Sequence, residues 1–484
     1  MHSIFLSALI PRNDKSFIRP LGPYRIASHL RQHGYNVQVI DFVHLFTHEE
    51  ILKLIEKFIT PETKFIGMGI MIDARHPRVR THYSYLGILC YKIKKAYPQL
   101  KLIVGGSVSF HWSKVHQNKK LFDYVVNGYG EDQTLALFDH HYKGTPLPPF
   151  EIVDGNMHLS EHLVRECKYK FNSTMHEWDR RDCIQEEESL PIELARGCIF
   201  KCSFCRYPHI GKRKEEYAKQ LDLVREELIQ NYQKFGTTTY YVTDDTFNAD
   251  TEFMKDFTDM VKSLPFKLKY CAYVRADLLQ AHPEQEDMFL ENGLISAFFG
   301  VESFDKKTSE LYSKPWSHKK GKEYLTYINN DKWKDKIHLS LGLIVGGPYE
   351  TLEDYRNTDK WCIDNNIPSW LWHPLSVSVD MLYYKSELDK NYMAAGFSFK
   401  LLEGEVMWYH NNCDQQKAVE WSLELFNETK PYQTPSSWTL IEYETYGYKF
   451  ENTGFWKIDQ YRYENILRRM EEKFINYKRD LMAL

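Results

Sequence analysis

Short apolar runs and amphipathic stretches take turns along the chain. The run HSIFLSALI at 2–10 reads as a buried strand, and residues 24–33, opened by Pro23 and stopped by Gly34, space their apolar positions as a helix does. The exchange then repeats: strand NVQVIDF, helix HEEILKLIEKF, strand FIGMGIM, helix YSYLGILCYKIKKAY, strand KLIVGG, short strand YVVNG, and a helix from EDQTLALFDHH. Strands joined by helices through short connections predict a doubly wound parallel sheet over residues 1–143. Ligands of such sheets sit at the carboxyl ends of the strands. Gly67, Gly69, Gly105, Gly106, Gly128 and Gly130 therefore mark a candidate binding edge, with simple chain turning as the other reading.

Residues 144–189 break this rhythm with Pro146, Pro148, Pro149 and the charged HEWDRRDCIQEEES, and read as a linker. From 190 to 385 the alternation resumes with the strands PIELAR, TTYYVTDD, KLKYCAYVR, LISAFFGVES, IHLSLGLIVGG and WLWHPLSVSV, each of the first five followed by a helical pattern. This predicts a partial parallel β/α barrel whose chemistry lies at the C-terminal strand tips. Residues 386–484 are rich in Tyr and Trp, end in a long helical stretch, and read as a mixed, mostly helical C-terminal cap.

Composition narrows the function. A hydrophobic content of 43% is globular, and no apolar run approaches the ~20 residues that span a bilayer, so no membrane association is expected. The net charge of -4 opposes a chain-wide field for nucleic acid, although Lys201 to Lys219 is locally basic. Nine cysteines in a long chain without a secretory pattern fit reduced thiols and a cytoplasmic location. Six of them are scattered, with core packing as the default. Cys198, Cys202 and Cys205 instead crowd into ELARGCIFKCSFCRYPHI, directly after a strand.

Thiolates bind soft or borderline metals, so this loop reads as a zinc or iron–sulfur site. His209 can complete a Cys₃His zinc set, the basis of a metal-stabilised binding protein. Alternatively, three cysteines holding a 4Fe-4S cluster leave one iron without a protein ligand, open to substrate or cofactor. An electron carrier is a third use of such a cluster.

The spacing Cys198-x₃-Cys202-x₂-Cys205, with Phe204 before the third cysteine, resembles the cluster loop of the radical S-adenosylmethionine superfamily. That resemblance implies a 4Fe-4S cluster on the three cysteines and S-adenosyl-L-methionine on the open iron. Reductive cleavage then yields a 5'-deoxyadenosyl radical. By the same likeness Asp244 and Asp245, at the tip of the second barrel strand, hold the methionine amino group. Arg275, a cofactor contact by the same likeness, and Asp277 stand at the third tip; Glu302 and Ser303 resemble ribose and methionine contacts; GLIVGGPYET, with Gly342, Ile344, Gly346 and Glu350, resembles the ledge against adenine, to which Phe204 backbone adds.

The N-terminal unit resembles the flavodoxin-like, cobalamin-binding domain fused ahead of such barrels, through GYNVQVIDF, LIVGGS and GYGED, which places Gly105 and Gly106 at the cofactor. The loop Asp-x-His-x-x-Gly, whose histidine ligates cobalt, is absent, and His76 lies near a strand tip without that motif. Either cobalamin binds without a lower histidine or the fold persists without it. The implied activity is cobalamin-dependent methylation of an unactivated carbon or a phosphinate. Without cobalamin it becomes another radical reaction, a rearrangement or ring closure. An electron donor such as flavodoxin or ferredoxin is implied, and the substrate is unspecified. Trp370, Trp372, Trp408, Tyr409 and His373 are candidates for a substrate chamber, with core packing as the plainer reading.

Overall fold

The computed structural model describes residues 1–9, 17–71, 85–106, 121–153, 155–160, 169–206, 217–314, 316, 318–379, 385–402, 405–448 and 460–484. His76, Cys167 and His209 lie outside the described residues. Two units form, one from Met1–Glu186 with Arg468–Leu484, the other from Glu187–Leu467.

The first unit is built on strands β1 (Ser3–Leu9), β2 (Val37–Ile40), β3 (Phe65–Met71), β4 (Lys101–Gly106) and β5 (Tyr124–Asn127), followed by β6 (Glu151–Val153) and β7 (Asn156–Ser160). Their order is β2-β1-β3-β4-β5-β7-β6, parallel except for the β6–β7 pair. The doubly wound sheet expected from the alternation is present. β6 and β7 come from the proline-rich stretch at 144–189, whose backbone groups are used to extend this sheet. The helix His48–Phe58 shows why such segments fold locally: Thr47 and Glu50 close a capping box, and Ile51, Leu54, Ile55 and Phe58 present one buried face.

The C-terminal segment returns to this unit. Tyr477 is 1% exposed, and its hydroxyl accepts the Asp41 N–H at 2.8 Å. The fully buried Arg19 donates to Tyr24 and to the carbonyls of Asp182 and Cys183, and Tyr24 donates to Asp41. Burial pushes Asp41 up to about 6 despite the Arg19 charge. Residues from Arg468 onward, expected within the cap, thus pack with the first unit.

The second unit carries β8 (Leu190–Ile192), β9 (Thr239–Val242), β10 (Lys269–Val274), β11 (Leu294–Glu302), β12 (His338–Val345) and β13 (Ser369–Pro374). They lie side by side in chain order, all parallel, as a partial barrel requires. β12 is buried at every position. The helix Ser437–Thr445 lies against this sheet: Ser437 N–H donates to Ser340 Oγ at 3.0 Å, Ser296 Oγ donates to Ser437 Oγ at 2.7 Å, and Trp438 meets the rings of Tyr241 and Tyr273. An antiparallel hairpin, β14 (Ser398–Leu402) with β15 (Glu405–Tyr409), follows the barrel.

Candidate active site

β8 is only three residues long, and its end launches the cysteine loop. The loop is closed at its base by two backbone bonds, Arg196 N–H to Tyr217 carbonyl at 3.0 Å and Lys219 N–H to Leu194 carbonyl at 2.8 Å. Within it Cys205 N–H donates to the Cys202 carbonyl at 3.0 Å. All three cysteines are free thiols, half-buried at the carboxyl edge of the sheet. Burial pushes the Cys198 thiol up, and Thr246 Oγ1 lies 3.5 Å from its sulfur.

Ser203 anchors the loop between the cysteines. Its N–H donates to the Tyr312 carbonyl at 3.1 Å, its hydroxyl donates to the Leu311 carbonyl, and its own carbonyl accepts the Leu388 N–H at 2.7 Å. Phe204 packs edge-on against the buried Tyr312. Arg206 closes the segment with a two-pronged pair to Asp389, whose carboxylate is buried. Among the described residues no group of three or more His, Cys, Asp or Glu side chains is set to hold a single metal ion. Cluster thiolates each bind a different iron, so they share no common centre. Three free thiols on one anchored loop are the donor chemistry a 4Fe-4S cluster uses.

The neighbouring tips divide into groups already committed and groups left open. Asp244, expected to face an ammonium, is 3% exposed and accepts the Leu194 N–H at 2.7 Å, with Ala195 N–H as a further donor; burial pushes it up to about 8. It stitches β9 to the start of the cysteine loop. The Asp250 side chain caps the helix Thr251–Lys262 through the Phe253 N–H, so neither Asp244 nor Asp245 serves that purpose. Asp245 is pushed up to about 7, first by burial and then by Glu193, itself paired with Arg196. A cation beside Asp245 would relieve both causes.

At the third tip Arg275 donates to Asp277 through Nε (3.0 Å) and Nη2 (2.6 Å), and through Nη1 to Cys202 Sγ at 3.5 Å. At the fourth, Glu302 takes φ +69°, a left-handed conformation costly for a side chain with a Cβ, and pairs with Lys314 Nζ at 2.9 Å. Ser303 is 8% exposed and donates to Glu350 at 2.9 Å. At the fifth, both backbone groups of Gly346 are engaged: its N–H with Tyr355 Oη at 3.0 Å and its carbonyl with His410 Nε2 at 3.1 Å. A Cβ there would meet the Trp408 ring at 2.7 Å, and φ is +107°.

Trp370 and Trp372 both donate to Asp359 Oδ1, and Trp408, fully buried, donates to the Leu375 carbonyl. These indoles fill the core, the plainer of the two readings. Tyr409 is 40% exposed on β15. The packing of Trp438 on the sheet was not legible because it comes from a helix far along the chain. Lys314 and Phe200 were missed for the same reason, since only the folded strand tips bring them to Glu302 and Arg275.

In the first unit the glycines separate by packing. A Cβ on Gly67 would strike the Phe5 ring at 2.4 Å, and one on Gly69 would strike Pro23 at 2.3 Å, so both serve close packing. A Cβ on Gly105 would find only ordinary contacts, 3.7 Å from Val126 O at the nearest. Gly105 is therefore an uncrowded backbone position near the end of β4.

A family model described as the Radical SAM superfamily matches residues 192–362, from the end of β8 to the helix before β13. Residues 192–362 of the chain are therefore a radical S-adenosylmethionine domain. Curated relatives of the chain include the hopanoid C-3 methylase of Methylococcus capsulatus, 20% identical over 368 residues, covering 72% of this chain and 65% of that protein. The bacteriochlorophyllide d C-8(2)-methyltransferase of Chlorobaculum tepidum is 21% identical over 194 residues, covering 39% and 42%. The matches thus span less than two thirds of those relatives' lengths. Among solved structures, the radical S-adenosylmethionine methyltransferase TsrM from Kitasatospora setae, with cobalamin and a [4Fe-4S] cluster bound, superposes with a TM-score of 0.67 at 14% identity, covering 98% of this chain and all of that one (100%). The cobalamin-dependent radical enzyme OxsB gives 0.57 at 16% identity, covering 81% and 55%. The fold is therefore shared along nearly the whole chain. No helix among the described residues is long and apolar enough to cross a membrane.

Proposed function

We propose that this chain is a radical S-adenosylmethionine methyltransferase that uses a 4Fe-4S cluster and cobalamin to methylate an unactivated carbon or a phosphinate. The observation that carries the reading is the anchored loop of Cys198, Cys202 and Cys205 beside the half-buried carboxylate of Asp245. When bound, the cluster supplies the electron that splits S-adenosylmethionine to methionine and a 5'-deoxyadenosyl radical, and cobalamin supplies the methyl carrier.

The chain's own residues place and shield these groups. The three cysteines hold the cluster, and Ser203 and Arg206 keep their loop against the barrel. Asp245 pairs with the ammonium of S-adenosylmethionine. Asp244 contributes indirectly, by fixing the β9 tip to the loop. Phe204, Glu302, Ser303 and Gly346 border the nucleoside side, with Ser303 and Gly346 held by Glu350 and Tyr355. The uncrowded position at Gly105, next to Gly106 at the carboxyl end of β4, accommodates a ligand against backbone, which fits cobalamin in the first unit. Methylation is supported by the two relatives named for methyl transfer and by the TsrM fold. A low-potential one-electron donor, a flavodoxin or ferredoxin, completes the system.

The test is anaerobic reconstitution with iron and sulfide, then reductant and S-adenosylmethionine, with mass spectrometry for 5'-deoxyadenosine in the presence and absence of cobalamin. The expected result is 5'-deoxyadenosine from the reconstituted protein and stoichiometric retention of added cobalamin. A protein that assembles no cluster overturns the reading, and one that retains no cobalamin removes the methyl-transfer part.

A further inference from the structure

Arg275 is held more firmly than a residue waiting for a ligand needs to be. Its side chain is 12% exposed. Its guanidinium carbon stands 4.1 Å from the ring centroid of Phe200, which lies between Cys198 and Cys202 on the loop. Nε and Nη2 are both taken by Asp277, and Nη1 points at Cys202 Sγ at 3.5 Å. The fork that would clamp a carboxylate is thus already occupied, and the remaining edge faces a sulfur.

We propose that Arg275 is a positioning residue that raises the reduction potential of the cluster by donating a charged hydrogen bond to the Cys202 thiolate. This rests on the preceding reading that the three cysteines hold a cluster. One electron from the reductant enters the cluster without bond making or proton transfer, and the added negative charge is shared by the cysteine sulfurs. A cationic donor on one sulfur stabilises that reduced state. Asp277 opposes the effect only in part, because its carboxylate is 36% exposed and screened by water. Cys198 meets the neutral Thr246 hydroxyl, so the two sulfurs sit in unequal fields.

The experiment is an EPR-monitored potentiometric titration of the reconstituted full chain without S-adenosylmethionine, comparing wild type with Arg275→Met, Arg275→Lys and Phe200→Leu. Arg275→Met should keep wild-type iron and sulfide content. At the potential where the wild-type cluster is half reduced, its reduced-to-oxidised ratio should fall at least tenfold, about 59 mV for a one-electron couple. Arg275→Lys should fall between, and Phe200→Leu should shift the same way by less. An unchanged ratio in Arg275→Met, alone or with weakened S-adenosylmethionine binding, overturns the proposal and leaves Arg275 a structural or cofactor contact. Should Arg275→Met assemble no cluster, Arg275→Lys decides: a lowered ratio supports the proposal, and an unshifted one overturns it. A wild-type protein without iron and sulfide defeats the functional reading itself, a result distinct from a loaded wild type with unshifted variants.

Discussion

The side-chain amide of Asn248 grips the backbone of Arg275 from both sides, accepting its N–H at 2.8 Å and donating to its carbonyl at 3.0 Å. Asn248 is 1% exposed, and its Nδ2 also donates to Gln285. The tip of β10 is thereby fixed to the loop that follows β9. Replacing Asn248 with Ala strands the Arg275 N–H, at about 1–3 kcal/mol, whereas the Arg275 carbonyl still accepts the Leu279 N–H at 3.1 Å. Asn248→Ala should lower the thermal midpoint by several degrees while the iron site still assembles. A midpoint within one degree of wild type contradicts the clamp.

Cys202→Ala should abolish 5'-deoxyadenosine formation, because three protein ligands are the minimum this loop offers the cluster. Iron and acid-labile sulfide should fall together, and the brown absorbance should be lost. The fold should survive, since Cys202 is half-buried on a loop whose base is closed by Arg196 and Lys219 backbone bonds. Circular dichroism matching wild type, with iron gone, is the expected pair of observations. Full product yield would remove the cysteine from the site.

Asp245→Asn should weaken S-adenosylmethionine binding roughly 10- to 100-fold, the size of a lost charge-assisted hydrogen bond of about 1.5–3 kcal/mol. Iron content should be unchanged. Asp244→Asn should behave differently, since Asp244 accepts the amides of Leu194 and Ala195 and acts through the placement of the loop. Its main effect should be on stability. Isothermal titration of both variants with S-adenosylmethionine separates the two aspartates, and equal losses of affinity would erase the distinction drawn between them.

The contrast between those two neighbours shows where sequence reading stops. Strands and helices were legible because apolar runs such as IHLSLGLIVGG and capped, amphipathic stretches such as HEEILKLIEKF each satisfy a local rule. The cysteine loop was legible because its chemistry is written in spacing alone. Which of Asp244 and Asp245 is spent on backbone amides depends on how β8 and β9 register, and no pattern along one strand encodes that. Glu302 likewise looks free in the chain and is paired with Lys314 in the fold. The strands at 151–160 escaped notice because three to five residues among prolines carry too little periodicity to read.

Glu350 supplies a pH dependence that runs against the usual carboxylate. It is 4% exposed, and burial pushes it up to about 8 from an ordinary value of 4.5, although the Ser303 hydrogen bond pulls the other way. Below about pH 4.5 the group is protonated in folded and unfolded chains alike, and its burial is tolerated in full. As pH rises through the interval to about 8, the unfolded chain loses the proton while the folded one keeps it. The folded state therefore binds more protons across this window, and the stability contributed by Glu350 falls as pH rises, levelling off above about 8. At about 1.4 kcal/mol per unit of separation, the loss is on the order of 5 kcal/mol. Glu350→Gln is neutral at every pH and can still accept from Ser303, so it should lack this decline. The difference between wild-type and Glu350→Gln unfolding free energies, measured by urea titration at pH 5, 6.5 and 8, cancels the other titrating groups. It should move steadily in favour of the variant as pH rises, and a flat difference would show that the carboxyl is ionised in the folded protein throughout.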